Sequence, residues 1–126
     1  MDAGYGLTDG DNNNFVGRGA GKCVSTGKYN AMFGHWAGRN STTSSYNLFL
    51  GYYAGCNRTT GDNNIALGKS ALQGTGSGTD TGEKNIAIGF LAGECVTTGA
   101  ENILIGTKAV SYTHLRAHET PEHRGW

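Results

Sequence analysis

The sequence has little proline and no excess charge. Its 126 residues include one proline, charged residues make up 16% of the chain, and the formal net charge is zero. A balanced charge gives no electrostatic case for nucleic acid or an anionic membrane surface. No apolar run approaches the roughly 18 residues of a membrane-spanning helix. We therefore expect neither a nucleic-acid partner nor insertion into a membrane.

Apolar residues are also scarce, at 37%, but the chain does not have the composition of a disordered one. Disordered segments usually combine low hydrophobicity with high net charge and abundant proline. Here glycine is abundant instead, at 22 residues, and the apolar residues are clustered. This composition favours a repeat fold with a thin core and many tight turns.

A repeat of seventeen residues dominates the sequence. Its clearest part is a five-residue segment that opens with asparagine and closes with glycine, as in Asn64-Ile65-Ala66-Leu67-Gly68. The closing glycines are Gly17, Gly34, Gly51, Gly68, Gly89 and Gly106. The clearest opening asparagines are Asn30, Asn47, Asn64, Asn85 and Asn102. Every step is therefore seventeen residues except the one from Gly68 to Gly89, which is twenty-one because of a Gly- and Thr-rich stretch at 74–81.

The repeat predicts an all-β fold, a β-solenoid (parallel β-roll) of about six seventeen-residue coils over residues 13–109. Each Asn-to-Gly segment is a short apolar run bounded by turn-forming residues, which is typical of a strand. Recurring Ala-Gly and Thr-Thr-Gly elements supply corners, since glycine tolerates positive φ. Residues 1–12 fit the end of a preceding, truncated repeat. Stacked coils would also place the asparagines above one another in a hydrogen-bonded ladder.

Alternation along each strand predicts which side chains form the core. We expect the first and third apolar residues to face inward, namely Ile65, Leu67, Ile86, Ile88, Ile103 and Ile105. The middle position would then face outward, and it holds Phe15, Met32, Phe49, Ala66, Ala87 and Leu104. Because a strand apolar on both faces is usually buried on both, we expect the outward face to pack against other copies.

These units resemble the Asn-x-Ala-Ile-Gly, Ala-Leu and Thr-Thr-Gly repeats of phage tail fibres and bacterial surface adhesins. They are similar in kind, though not in period, to the head repeats of trimeric autotransporter adhesins. The stretch Asn64 to Leu72 carries the resemblance best. It implies a structural or adhesive fibre segment without catalysis or cofactor, assembled as a homotrimer. It also implies a location on a virion or at the bacterial, extracellular cell surface, and a host glycan or receptor as partner.

The end of the chain departs from the repeat. Residues 110–120 read V-S-Y-T-H-L-R-A-H-E-T, which resembles the translated adaptor of transposase-based sequencing libraries. We interpret residues 110–126 as adaptor read-through that is not native. The helical metal pair suggested by His114 and His118 is set aside for that reason, and the intact gene would continue differently after Ala109.

Other readings of the sequence remain open. Threonines at coil spacing suggest an ice-binding β-solenoid, although Thr-Thr-Gly fits a corner better than a flat strand. A degradative β-helix enzyme would need clustered acidic residues, which here are scattered. Calcium binding near Asp62 and Asp80 lacks the repeated aspartates of nonapeptide rolls. Cys23, Cys56 and Cys95 are expected to be small packing residues, and aromatic residues such as Trp36, Tyr52, Tyr53 and Phe90 are candidates for sugar stacking or for burial between chains.

Overall fold

The computed structural model describes residues 2–76, 78 and 80–109, and the predicted solenoid is confirmed there. This part of the chain contains six three-residue strands: β1 (Asn14–Val16), β2 (Ala31–Phe33), β3 (Leu48–Leu50), β4 (Ile65–Leu67), β5 (Ile86–Ile88) and β6 (Ile103–Ile105). They form one parallel sheet in the order of the sequence. We call the turn of chain that contains each strand coils 1 to 6. The segment 110–126, with its adaptor interpretation and its histidines, lies outside the described residues.

The strands align residue for residue, so that each coil repeats the position of the one before. Phe15 pairs with Met32 and Met32 with Phe49, each one repeat further along the chain. The twenty-one-residue step leaves this alignment unchanged, because Ala66 still pairs with Ala87. The extra residues are thus accommodated between β4 and β5 without a shift in strand register.

Left-handed backbone conformation recurs at fixed places and bends the chain at each corner. One such place is the closing glycine, where φ is 137° at Gly34 and at Gly51. A Cβ atom on Gly34 would lie 2.6 Å from the carbonyl oxygen of Gly51, so both conformation and space require glycine there. Another lies two residues later, where Trp36 and Tyr53 adopt φ of 61° and 63°.

The asparagines form a continuous internal ladder. The Asn47 Oδ1 atom accepts a hydrogen bond from the backbone N–H of Asn64 at 2.8 Å, and Asn64 Oδ1 accepts one from the N–H of Asn85 at 3.0 Å. The side-chain amides also donate to backbone carbonyls of the preceding corner in the next coil, as Asn64 Nδ2 does to Gly82 at 3.0 Å and Asn30 Nδ2 to Ser44 at 2.9 Å. The ladder thereby satisfies backbone groups that no strand partner reaches.

The sequence-based assignment of the core is wrong, because the two faces of the strand are exchanged. The middle residues are buried, with Met32, Phe49, Ala66 and Ala87 at 0% exposure. The residues predicted to be core face outward instead: Ile65, Leu67, Ile86 and Ile88 are only partly buried, and Ile103 and Ile105 are 70% and 65% exposed. The cause is parity: alternate side chains of each strand point to opposite faces, and the prediction assigned the two sets to the wrong faces.

The asparagine side chain fixes that parity. Asn64 points inward to join the ladder and is fully buried. Because successive side chains of a strand alternate between its faces, Ala66 then points inward and Ile65 and Leu67 point outward. The same reasoning holds in the other coils that open with a buried asparagine, namely those of Asn30, Asn47 and Asn85.

Inside the solenoid, large and small residues complement one another. Phe49 fills the space above the corner at Gly55, where a Cβ atom would lie 2.6 Å from the ring. In coil 4 the strand supplies only Ala66, and the corner position holds Leu72, which is fully buried with φ of 49°. Leu72 therefore supplies the volume that the strand of its own coil lacks.

Candidate functional site

The most prominent feature of the surface is the outward side of the sheet, which we call the strand face. It consists of two residues from each strand: Asn14, Val16, Ala31, Phe33, Leu48, Leu50, Ile65, Leu67, Ile86, Ile88, Ile103 and Ile105. All but Asn14 are apolar. Several are largely exposed, including Val16 at 55% and Leu50 at 46%. Six strands about 4.8 Å apart give the strand face a length of roughly 24 Å and a width near 10 Å.

Aromatic residues border the strand face in coils 2 and 3. On the side that precedes the asparagines, the rings of Tyr29 and Tyr46 stack with centroids 5.2 Å apart. On the side that follows the closing glycines, Trp36 stacks on Tyr53 at 5.0 Å and His35 on Tyr52 at 5.2 Å. The stacks follow from the coil spacing, since each pair is one repeat apart.

Cations continue the second of these borders. The Nζ atom of Lys69 lies 5.6 Å from the ring centroid of Tyr52 and 5.7 Å from that of Phe90, so it stands between the two rings. The guanidinium of Arg39 lies 4.5 Å from the Trp36 centroid. All three distances are within the range of cation–π attraction. Neighbouring rings and cations therefore already stack on several of the ring faces that a sugar could use.

A column of threonines marks a different side of the solenoid. Thr26, Thr43, Thr60, Thr81 and Thr98 occupy equivalent positions in successive coils and are exposed. The adjacent column is engaged within the protein, because the hydroxyl of Thr42 donates to the Thr59 carbonyl at 3.2 Å and that of Ser25 to the Thr42 carbonyl at 3.1 Å. One hydroxyl column is thus open to solvent and the other caps the backbone.

A cleft of about 250 Å³ lies beside the inserted residues. Its lining is made of Cys23, Asn40, Thr42, Asn57, Thr59, Gly76 and Gly78. The amide of Asn40 donates to Asn57 Oδ1 at 2.7 Å, and the threonine hydroxyls bond to carbonyls of neighbouring coils. These polar groups are already hydrogen-bonded within the protein, so the cleft offers few of them to a ligand.

The three cysteines are free thiols in different surroundings. Cys23 is exposed, whereas Cys56 is buried and burial raises the pKa of its thiol to about 11. Burial also raises the pKa of Cys95. A raised pKa keeps a thiol protonated and unreactive at neutral pH.

The structure contains a buried ion pair that the repeat pattern does not predict. The Arg58 Nη2 atom lies 3.5 Å from Asp80 Oδ1, and both side chains are at 0% exposure. Arg58 Nη2 also donates to the Val96 carbonyl. Asp80 accepts the backbone N–H groups of Thr75 and Gly76 in the inserted stretch. The sequence carries one indication of this pair: Arg58 stands at the repeat position that holds Val24 in coil 1 and Val96 in coil 5.

The calcium reading of Asp80 is not supported by its surroundings, because its carboxylate is occupied by Arg58 and backbone donors. Nor do the described residues bring together three or more His, Cys, Asp or Glu side chains that could hold a metal ion. In the same part of the chain, no helix is long and apolar enough to cross a membrane. Comparison with protein-family models, curated proteins and solved structures finds no match for this chain.

Proposed function

We propose that this chain is a structural and adhesive segment of a surface fibre, with no catalytic role. The observation that carries the proposal is the strand face, which exposes aliphatic side chains over all six coils. Exposed apolar patches of several hundred Å² usually mark an interaction surface. In a fibre, side-by-side copies of the solenoid bury that face.

The setting that fits this construction is a phage tail fibre, and thus a virion, or a bacterial surface adhesin. Both use elongated, repetitive modules to hold a binding surface away from the particle or cell. Homotrimeric assembly is the arrangement we propose, because three copies can enclose their strand faces around one axis. A glycan or receptor on the host surface would then contact the outer sides of the assembly.

The oligomeric state tests the proposal directly. We expect light scattering after size-exclusion chromatography to give three times the 13.2 kDa mass of one chain. Replacing Ile103 and Ile105 with threonine should lower that mass while the circular dichroism spectrum stays that of β structure. The matched control is the same number of changes on another side, Thr43→Ser and Thr60→Ser, which should leave the mass unchanged. A wild-type protein that stays monomeric at tens of micromolar would refute the fibre assignment.

Ice binding is the second candidate function, and the column of five exposed threonines favours it. Hydroxyl and methyl groups repeated at about 4.8 Å form a regular array. Thermal hysteresis of the purified protein measures this activity. If Thr43→Lys and Thr60→Lys abolished a clear hysteresis, ice binding would replace the fibre as the first proposal.

A further inference from the structure

One corner of the solenoid carries an unbalanced positive charge. It follows the closing glycines, comprises residues 18–22, 35–39, 52–56 and 69–73 of coils 1 to 4, and is called here the basic corner. It contains Arg18, Lys22, Arg39 and Lys69 and no aspartate or glutamate. The whole chain has no net charge, so the charge of this corner is balanced elsewhere on the molecule.

Three of these four cations have no carboxylate partner in the part of the chain that the structure describes. Lys22 does have one, since its Nζ atom lies 3.7 Å from a carboxylate oxygen of Asp2. The remaining ion pairs there involve Lys28 and Arg58, which lie outside the basic corner. The charges of Arg18, Arg39 and Lys69 are therefore available to an anion.

Four aromatic residues join two of the cations into one continuous surface. We call them the aromatic cluster: His35, Trp36, Tyr52 and Tyr53. Within it, the Tyr52 and Tyr53 centroids are 4.3 Å apart and those of His35 and Trp36 are 5.3 Å apart. Arg39 lies against Trp36 at one end of the cluster, and Lys69 lies against Tyr52 at the other. Cationic groups thus flank the rings on both sides.

Two members of the cluster occupy a backbone conformation that disfavours bulky side chains. Trp36 and Tyr53 have φ of 61° and 63°, and the equivalent residue of coil 1 is Gly19, with φ of 71°. Because the geometry of the coil requires this conformation, glycine would form the corner with less strain. Strained residues are often found at binding sites. The corner itself therefore does not explain why aromatic residues stand here, whereas a role in binding does.

The edges of these rings, more than their faces, are open to a ligand. The rings of Tyr52 and Tyr53 are within 11° of parallel, so each covers a face of the other, while Tyr52 is 46% exposed overall. Desolvation and the neighbouring hydroxyl of Tyr52 raise the pKa of Tyr53, so its phenol keeps its proton and can donate a hydrogen bond. Nucleic-acid bases bind aromatic residues through ring faces. Hydroxyls flanked by cations favour instead a ligand with many hydroxyls and a negative charge.

We propose that the basic corner binds a carboxylated polysaccharide, with Arg39 and Lys69 pairing with its carboxylates and the hydroxyls of Tyr52 and Tyr53 bonding to its sugar hydroxyls. The inference rests on the proposed function, which includes a host glycan, and adds the charge class of that glycan and the residues that bind it. Arg18 and Lys69 are three coils apart, about 14 Å. The site therefore fits an extended chain with several carboxylates better than a single sugar.

Calorimetry of the full chain at low salt tests the charge class. The probes are polygalacturonate oligosaccharides, which carry carboxylates, and neutral dextran of similar length. We expect only the acidic chain to bind, and added salt to weaken it. Arg39→Gln and Lys69→Gln should each raise the dissociation constant by about five- to tenfold, as for the loss of one charge-assisted hydrogen bond. The matched control Lys84→Gln removes the same charge from an exposed residue on the opposite border of the strand face and should change nothing.

Removing hydroxyls separates recognition of a sugar from attraction to any polyanion. The double variant Tyr52→Phe with Tyr53→Phe keeps the stacked rings and should weaken binding of polygalacturonate by about fivefold. The control pair, Tyr29→Phe with Tyr46→Phe, removes two hydroxyls from the other stack and should have no effect. Unchanged binding in the first double variant would overturn the inference. Tighter binding of single-stranded oligothymidylate than of the acidic sugar would overturn it too.

Light scattering on the same samples keeps this test apart from the fibre proposal. The inference requires that Arg39→Gln and Lys69→Gln weaken binding while the mass of the assembly stays that of the wild type. A mass that falls together with binding would show that the corner is a contact between copies and would overturn the inference. An assembled wild type that binds no polysaccharide would also overturn it and leave the fibre proposal standing. A monomeric wild type that binds the acidic chain would remove the fibre proposal and retain this site.

Discussion

Arg58 and Asp80 meet inside the solenoid, where their side chains are fully buried and lie 3.5 Å apart. Arg58 occupies a place that coils 1 and 5 fill with valine, and Asp80 is held by the residues inserted into the long repeat. Two buried atoms of the guanidinium, Nε and Nη1, have no hydrogen-bond partner. The pair therefore joins coil 3 to the insertion without full compensation of its charge.

From this relationship we expect Asp80→Asn to lower the free energy of unfolding by about 3–5 kcal/mol, because it leaves a buried cation without its counter-charge. The double variant Arg58→Val with Asp80→Asn should recover most of that loss, since apolar replacement of a buried pair is often neutral. Urea unfolding measures both. The control, Asp9→Asn, changes an exposed carboxylate and should have little effect. Equal destabilisation in the single and double variants would contradict the argument.

The second prediction concerns the asparagine ladder. Asn64→Ala removes an acceptor for the Asn85 N–H and a donor for the Gly82 carbonyl, and Asn64 is fully buried. Two unsatisfied backbone groups should cost about 2–6 kcal/mol in the free energy of unfolding. The neighbouring Asn63→Gly keeps the positive φ of 60° and should cost far less. Similar losses at both positions would show that the ladder contributes little.

The third prediction separates the two faces of a strand. Phe49 is buried and Leu50 is 46% exposed. We expect Phe49→Ala to cost about 3–5 kcal/mol at every protein concentration, as for a large core truncation. Leu50→Ala should destabilise only at concentrations where copies assemble. Chemical unfolding at several concentrations distinguishes them, and the reverse pattern would restore the core expected from the sequence.

The fourth prediction follows from the Cys56 thiol. Burial raises its pKa to about 11 from an ordinary value near 9, with the cation of Arg39 opposing the shift. The folded chain thus holds a proton that the unfolded chain releases, and the resulting stabilisation is complete below pH 9. It should disappear as the pH rises from 9 to 11, lowering the free energy of unfolding by about 2–3 kcal/mol. Comparison with Cys56→Ala isolates this thiol from tyrosines and lysines, and identical alkaline profiles for the two proteins would exclude it.

The sequence predicted the coil, its period and the position of the insertion, because stacking identical residues leaves a visible repeat. It failed on the orientation of the strand. The repeat predicts that the asparagines stack in a ladder, but it does not show that Asn64 points into the solenoid, and that direction sets the direction of Ile65. The Arg58–Asp80 pair escaped notice because its partners are separated by an irregular insertion, where repeat alignment carries no information.

The left-handed backbone of Trp36 and Tyr53 is equally invisible in the sequence, since bulky residues seldom adopt it.

The uniform step between strands has a consequence for how such a chain can change length. In a solenoid each coil touches only its neighbours, so duplicating one repeat inserts a whole layer without disturbing the layers on either side. Every added layer also contributes its own outward row to the sheet. The length of the solenoid and the area of its strand face therefore increase together, through a genetic event as simple as unequal recombination.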